Sequence, residues 1–169
     1  MESIQQGESV MKITLLTVGK IKEKYLKEAV AEYVKRLSAY CKLEIVEVTD
    51  ERTPEQRSDH MTRVILSTEA ERILKHVKDD AFLITLEIDG KALSSEEFAA
   101  KLESLAVSGN SHVMFVIGGS LGLGEEVRKR SDFALSFSRL TFPHQLMRVI
   151  LLEQIYRGFR IIAGAPYHK

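Results

Sequence analysis

Five short apolar segments alternate with helical segments along the chain, and this alternation restricts the possible fold more than any other feature. The apolar segments are short and rich in branched residues, as buried strands are, at residues 12–19, 43–48, 81–88, 112–117 and 133–137. A segment with helical character follows each of them. Parallel neighbours need such crossovers, so the sequence predicts an α/β fold with a mostly parallel sheet and helices on both faces.

Local signals predict where individual helices begin. Thr53 followed by Pro54 is typical of a capped helix start. Asp89 and Gly90 are typical of a turn after the third strand, and Ser94 is typical of the cap of the third helix. The predicted helices cover residues 23–41, 53–77, 125–130 and 145–162, and a further helix is predicted to begin at residue 94.

The length of 169 residues fits one domain, which we assign to residues 11–169. Residues 1–10 lack periodicity and precede a second methionine, Met11, so they are interpreted as a disordered or non-native extension. Lys plus Arg and Asp plus Glu both number 24, which argues against attraction of the whole molecule to nucleic acid. Without a signal-peptide pattern, the expected compartment is the reducing cytoplasm.

The single cysteine and the five histidines give no metal-site pattern. Cys41 alone excludes an intrachain disulfide and a thiolate zinc cluster, and its position among apolar residues indicates a packed, inert thiol. No histidine pair has metal-ligand spacing. We therefore expect no metal cofactor.

A glycine-rich loop follows the fourth strand, with four glycines among residues 118–124. It is not a phosphate-binding loop, because no Gly-Lys-Ser/Thr closes it. One interpretation is a tight turn that needs positive φ. The other is a bare main chain on which a flat ligand can lie, and the number of glycines favours this second interpretation.

A second loop follows the fifth strand, and the chain ends in a basic segment. Residues 137–144 contain hydroxyls, one cation and two aromatic rings beyond a strand end, where open parallel sheets bind ligands. The alternative is that the aromatic rings belong to the core.

From Glu125 onward the chain contains eight basic and four acidic residues. Among the basic residues, Arg139, Arg148 and Lys169 are candidate phosphate contacts. Solvated helix faces explain such charges equally well.

Several motifs together resemble one known family. They are MKIT at residues 11–14, VGK at 18–20, FVIGG at 115–119, TFPHQ at 141–145, MRV at 147–149, EQIYR at 153–157 and YH at 167–168. They resemble the RlmH family, bacterial 23S rRNA (pseudouridine-N3)-methyltransferases of the SPOUT superfamily. The resemblance extends from Met11 to Lys169, and the combination is more specific than any single motif.

The resemblance implies a SPOUT fold with a deep C-terminal trefoil knot, a homodimer, and S-adenosylmethionine as methyl donor without a metal. It implies that the substrate is 23S rRNA within the assembled 70S ribosome. By resemblance, the donor site comprises Leu86, Gly118, Phe137, Ser138, Arg139, Leu140, Thr141 and Phe142. His168 and Tyr167 of the tail are implied as catalytic residues, with the tail closing over the site from its own chain or from the partner subunit.

Two other functions stay open at this level. The first is a SPOUT methyltransferase that acts on tRNA. The second is a non-catalytic RNA-binding module of ribosome assembly. Binding of S-adenosylmethionine distinguishes the module from the enzymes, and the RNA that accepts the methyl group distinguishes the two enzymes.

Overall fold

The computed structural model describes residues 10–167, in which five strands form one sheet. The strands are β1 (Lys12–Val18), β2 (Lys42–Val48), β3 (Phe82–Ala92), β4 (His112–Ile117) and β5 (Phe133–Ser136). Their order is β2-β1-β4-β3-β5, and the four pairings between neighbours are parallel. The predicted parallel sheet is confirmed.

Helices cover both faces of this sheet. They are α1 (Lys24–Leu37), α2 (Asp59–Leu74), α3 (Ser95–Val107), α4 (Glu125–Arg130) and α5 (His144–Ile162). One apolar cluster joins the sheet to α1, α3 and α5, with Leu37, Leu102 and Leu151 among its buried members. A second cluster joins the other face to α2 and α4 through Ile73 and Val127. The α/β class with helices on both faces is therefore confirmed, while the trefoil knot stays a prediction.

The strand order brings three strand ends together. Strand β3 lies between β4 and β5, and all three run in the same direction. The glycine-rich loop after β4, the end of β3 and the loop after β5 therefore meet at one edge of the sheet. This edge is where a parallel sheet presents its ligand-binding loops.

The predicted start of α2 is wrong. The helix begins at Asp59, with Ser58 as its cap, because the Ser58 side chain accepts a hydrogen bond from the Met61 amide at 3.1 Å. Upstream, Arg57 donates to the Pro54 carbonyl at 3.0 Å, which holds that segment as a loop. By contrast, the predicted cap at Ser94 is confirmed.

The predicted turn at Asp89 and Gly90 is also wrong, because β3 continues through both residues to Ala92. Its pairing with β5 contains an irregularity, in which Leu135 aligns first with Leu86 and then with Lys91. A Cβ atom on Gly90 would lie 2.8 Å from the Ala134 backbone. The glycine is needed here because the β5 main chain passes too close for a side chain.

The structure buries the single thiol. Helix α1 ends at Leu37 and not at Cys41, and Cys41 lies between α1 and β2 with only 4% of its surface exposed. Burial raises the pKa of this thiol to about 11. Cys41 is therefore protonated and inert at neutral pH, as the sequence indicates.

Parts of the predicted organisation lie at the margins of the described chain. The predicted extension, residues 1–10, lies outside the described residues except for Val10. Between residues 10 and 167, no helix combines the length and apolar character needed to cross a membrane.

Candidate functional site

A cleft of about 840 Å³ opens at the edge where β3, β4 and β5 end. The end of β3, the loops after β4 and β5, Arg128 of α4 and the first turns of α5 form its walls. Seven of the eight residues predicted for the donor site line it: Leu86, Gly118, Phe137, Ser138, Leu140, Thr141 and Phe142. Arg139 is exposed and is not among the lining residues.

The glycine-rich loop folds tightly on itself. Gly119 and Gly122 form an isolated bridge, and Gly122 has φ of +86°. A Cβ atom on Gly118 would lie 2.4 Å from the Gly122 carbonyl oxygen. The loop's own geometry therefore requires these glycines, and their number is not by itself an argument for a ligand. The closed loop still presents its main chain to the cleft.

The loop after β5 is held by its own serines. The Ser138 hydroxyl accepts a hydrogen bond from the Leu140 amide at 2.9 Å, which forms a local turn. The Ser136 hydroxyl donates to the Ile88 carbonyl at 2.9 Å and ties the end of β5 to β3. Phe137 both lines the cleft and contacts the core. Its ring therefore has the position expected of a ligand-loop residue and also the position expected of a core residue.

Sequence reasoning missed several residues that line the cleft, among them Glu87, Asp89, His144 and Met147. The signal for Glu87 and Asp89 is their position just beyond Leu86. Glu87 lies within the predicted third strand and Asp89 in the predicted turn, and neither belongs to a motif of the family, so the sequence analysis did not use this signal. His144 ends the predicted ligand loop 137–144 but is not among the predicted donor-site residues, and Met147 lines the cleft because α5 begins there.

His144, the first residue of α5, is neutral at physiological pH. Burial lowers its pKa below the ordinary value of 6.5, and the nearby Arg148 charge lowers it further. The imidazole therefore adds no positive charge to the cleft wall at pH 7.

Arg148 does not fit the predicted role of a phosphate contact. Its side chain is only 2% exposed. Its Nη1 donates to Glu47 at 2.6 Å, and its Nη2 donates to the carbonyls of Gly19 at 2.8 Å and Val18 at 3.3 Å. The guanidinium instead fastens the start of α5 to the ends of β1 and β2.

Comparisons with known proteins agree with this architecture. A family model described as "Predicted SPOUT methyltransferase" matches residues 11–168. The chain is 64% identical over 159 residues to the ribosomal RNA large subunit methyltransferase H of Bifidobacterium adolescentis, and the match covers 94% of this chain and 100% of that protein. The chain belongs to the SPOUT methyltransferase family. Proteins with the same name from Alkaliphilus oremlandii and Clostridium botulinum are 58% and 57% identical, with the same coverage.

Tyr167, the last described residue of this SPOUT methyltransferase, lies against α5 and not in the cleft. The Tyr167 ring packs edge-on against the Tyr156 ring, with 4.9 Å between the two ring centroids. The Arg157 guanidinium lies 4.8 Å from the centroid of the Tyr167 ring. Its hydroxyl donates to Glu153 at 3.3 Å. Glu153 is nine residues from His144, about 13 Å along the helix. The predicted residues His168 and Lys169 lie outside the described residues.

A buried carboxyl group lies beside the glycine-rich loop. Glu69 of α2 is 5% exposed, and its Oε2 accepts a hydrogen bond from the Glu51 amide at 2.9 Å. A Cβ atom on Gly119 would lie 3.3 Å from its Oε1. Burial raises the pKa of Glu69 above its ordinary value. The hydrogen bond from the Glu51 amide opposes this in part, the charges of Asp50 and Glu51 raise the pKa further, and Arg72 lowers it slightly. Ionised Glu69 therefore destabilises the fold.

Replacing Glu69 with glutamine is expected to stabilise the protein at neutral pH, because the amide keeps a hydrogen-bond acceptor and removes the buried charge. The gain in stability is expected above pH 4.5, the ordinary pKa of this group, because the unfolded chain ionises Glu69 there. The gain disappears as the pH falls below that value. Urea unfolding at pH 4 and pH 8 measures it. Glu71→Gln, at a carboxylate whose side chain is 75% exposed, is the control. An equal gain at both pH values contradicts the assignment.

Within residues 10–167 of this SPOUT methyltransferase, no group of three or more His, Cys, Asp or Glu side chains could hold a metal ion.

Proposed function

We propose that this SPOUT methyltransferase transfers a methyl group from S-adenosylmethionine to N3 of a pseudouridine in 23S rRNA, with the assembled ribosome as substrate. The observation that carries the proposal is that the cleft gathers seven predicted donor-site residues in a chain 64% identical to a ribosomal RNA large subunit methyltransferase H. The full-length match to that protein supports a shared substrate class.

The cleft fits a methyl donor of this kind. Its volume of about 840 Å³ lies within the range of small-molecule sites. Leu86 and Phe137 supply apolar surface for an adenine ring, and the Gly118 main chain supplies polar groups. When bound, S-adenosylmethionine supplies its methyl group to N3 as the carbon–sulfur bonding pair stays on sulfur and the N3 proton passes to a base or water. The residues of the chain orient the donor, so much of the acceleration comes from proximity.

The C-terminal tail is proposed to serve the cleft of the partner subunit in a homodimer. Tyr167 contacts Tyr156 and Glu153 of its own α5, about 13 Å along the helix from the end that lines the cleft. This separation supports a tail that acts on a second copy. In this arrangement His168 accepts the N3 proton or positions the RNA, and Tyr167 anchors the tail.

Arg139 and Lys169 are proposed RNA contacts. Arg139 is exposed, and its neighbours Ser138 and Leu140 line the cleft, so its guanidinium can reach a phosphate beside the target base. Because the chain has no net charge, these contacts depend on shape and on the surface that two subunits form together.

Calorimetry with S-adenosylmethionine, followed by transfer of a labelled methyl group, tests the proposed function. We expect saturable donor binding and label in 23S rRNA of 70S ribosomes, with little or no label in naked 23S rRNA. Label in tRNA but not in ribosomes would identify a tRNA enzyme. Absence of donor binding would leave a non-catalytic RNA-binding module.

Replacing His168 with alanine is expected to slow methyl transfer to ribosomes much more than it weakens donor binding, because the side chain acts on the acceptor base and not on the donor. Single-turnover transfer and calorimetry measure the two effects separately. His60→Ala, at an exposed histidine of α2, is the matched control. Unchanged turnover removes His168 from the mechanism.

A further inference from the structure

The charge of the cleft wall comes from few groups. Among the described residues that line it, those with ionisable side chains are Glu87, Asp89, Arg128 and His144. His144 is uncharged at neutral pH because burial and the Arg148 charge lower its pKa. Asp89 is exposed, so water screens its charge. Glu87, whose side chain is paired with Arg128, is therefore the charged group of this wall that water screens least.

Glu87 is held in one position at the base of this wall. Its Oε2 accepts a hydrogen bond from the hydroxyl of Thr85, a residue that is completely buried, at 2.6 Å. The Thr85 hydroxyl also lies 2.8 Å from the Ser131 hydroxyl, which fixes its orientation. The Glu87 side chain is only 17% exposed. A carboxylate fixed in a partly buried position acts on a ligand more strongly than a mobile surface charge does.

Arg128 cancels this charge only in part. Its Nε lies 3.3 Å from Glu87 Oε1, but the Arg128 side chain is 57% exposed. Water therefore screens the guanidinium more than it screens the carboxylate. Both side chains line the cleft. Because the carboxylate is the less screened member of the pair, the pair contributes a net negative potential to the cleft.

We infer that Glu87 determines specificity by making the cleft prefer the methyl donor, with its positively charged sulfur, to the product, S-adenosylhomocysteine, whose sulfur is neutral. The inference rests on the proposed function. Donor and product share the adenosine and the amino acid, and they differ by one methyl group and one positive charge. A negative wall therefore stabilises the donor selectively and favours release of the product once the charge has gone.

The dissociation constants of donor and product, measured by calorimetry, test this inference through their ratio. In Glu87→Gln, the ratio of product to donor dissociation constant is expected to fall roughly fivefold, as a partly screened charge pair predicts. Glutamine still accepts the Thr85 hydrogen bond, so the wall keeps its shape. In Arg128→Gln, the ratio is expected to rise about twofold, because the opposing charge is gone. Glu103→Gln, at an exposed carboxylate of α3, is expected to leave the ratio unchanged.

The possible outcomes separate this inference from the proposed function. If the wild-type protein does not bind S-adenosylmethionine, the proposed function fails. If it binds the donor and Glu87→Gln weakens donor and product equally, Glu87 has only a structural role and the inference alone is overturned. A fall of the ratio in Arg128→Gln also overturns it, and this second variant decides the matter if thermal melting shows that Glu87→Gln is unfolded.

Discussion

Replacing Arg148 with methionine is expected to lower the free energy of unfolding by about 3 kcal/mol. The side chain is 2% exposed, and its guanidinium satisfies Glu47 and the carbonyls of Val18 and Gly19. Methionine fills much of the space but donates no hydrogen bond, so these acceptors lose their partner. Glu47 is 37% exposed and regains water in the variant. The expected loss of stability is therefore at the lower end of the range for breaking a buried ion pair.

Urea unfolding of the Arg148→Met variant measures this loss as a lower midpoint with an unchanged slope. Arg63→Met, at an exposed arginine of α2, is the control and is expected to change stability by less than about 0.5 kcal/mol. If Arg148→Met is as stable as the control, the buried ion pair does not hold α5 against the ends of β1 and β2.

Replacing Gly118 with alanine is expected to reduce methyl transfer about 100-fold, because a shift of about 1 Å in an active site has effects of this size. The new methyl group would lie 2.4 Å from the Gly122 carbonyl oxygen and 2.7 Å from its carbon, and both belong to the backbone. Neither can rotate away as a side chain does. The glycine-rich loop must therefore open, which moves the wall of the cleft.

Labelled methyl transfer and donor calorimetry of Gly118→Ala measure the effect of the opened loop. Gly109→Ala is the control. Gly109 has φ of +85°, and a methyl group added there would meet nothing within 4 Å. This glycine precedes β4 and therefore lies at the end of the sheet opposite the cleft. The control is expected to lose about 1 kcal/mol of stability and no activity. Full activity of Gly118→Ala would show that this loop does not form the site.

The elements that the sequence predicts well depend on local patterns. The buried strands follow from short branched runs, and the start of α3 follows from Ser94 and Glu97, which form a capping box within four residues. The same logic fails at Thr53, because Ser58 offers a competing cap that the Met61 amide uses. Two plausible caps five residues apart cannot be ranked from propensities alone.

The remaining errors concern contacts between distant parts of the chain. Gly90 has the local signature of a turn, but the Ala134 backbone beside it requires a glycine within a continuous strand. Arg148 has the signature of a surface cation, but its side chain is buried and pairs with Glu47, about one hundred positions earlier in the chain. For the cleft, the family resemblance identified seven lining residues, while Glu87 lies inside the predicted third strand and is recognised as a lining residue only from the packing of distant segments around it.

Strand β5 gives the cleft a weak point. It is four residues long and is the outer strand beside β3, yet it leads directly into the loop that forms one wall of the cleft. Its pairing with β3 on both sides of the irregularity and the bond from Ser136 to Ile88 attach it to the sheet. Fraying of this short edge would release the wall while the central strands stay intact, so the cleft can loosen without unfolding of the domain.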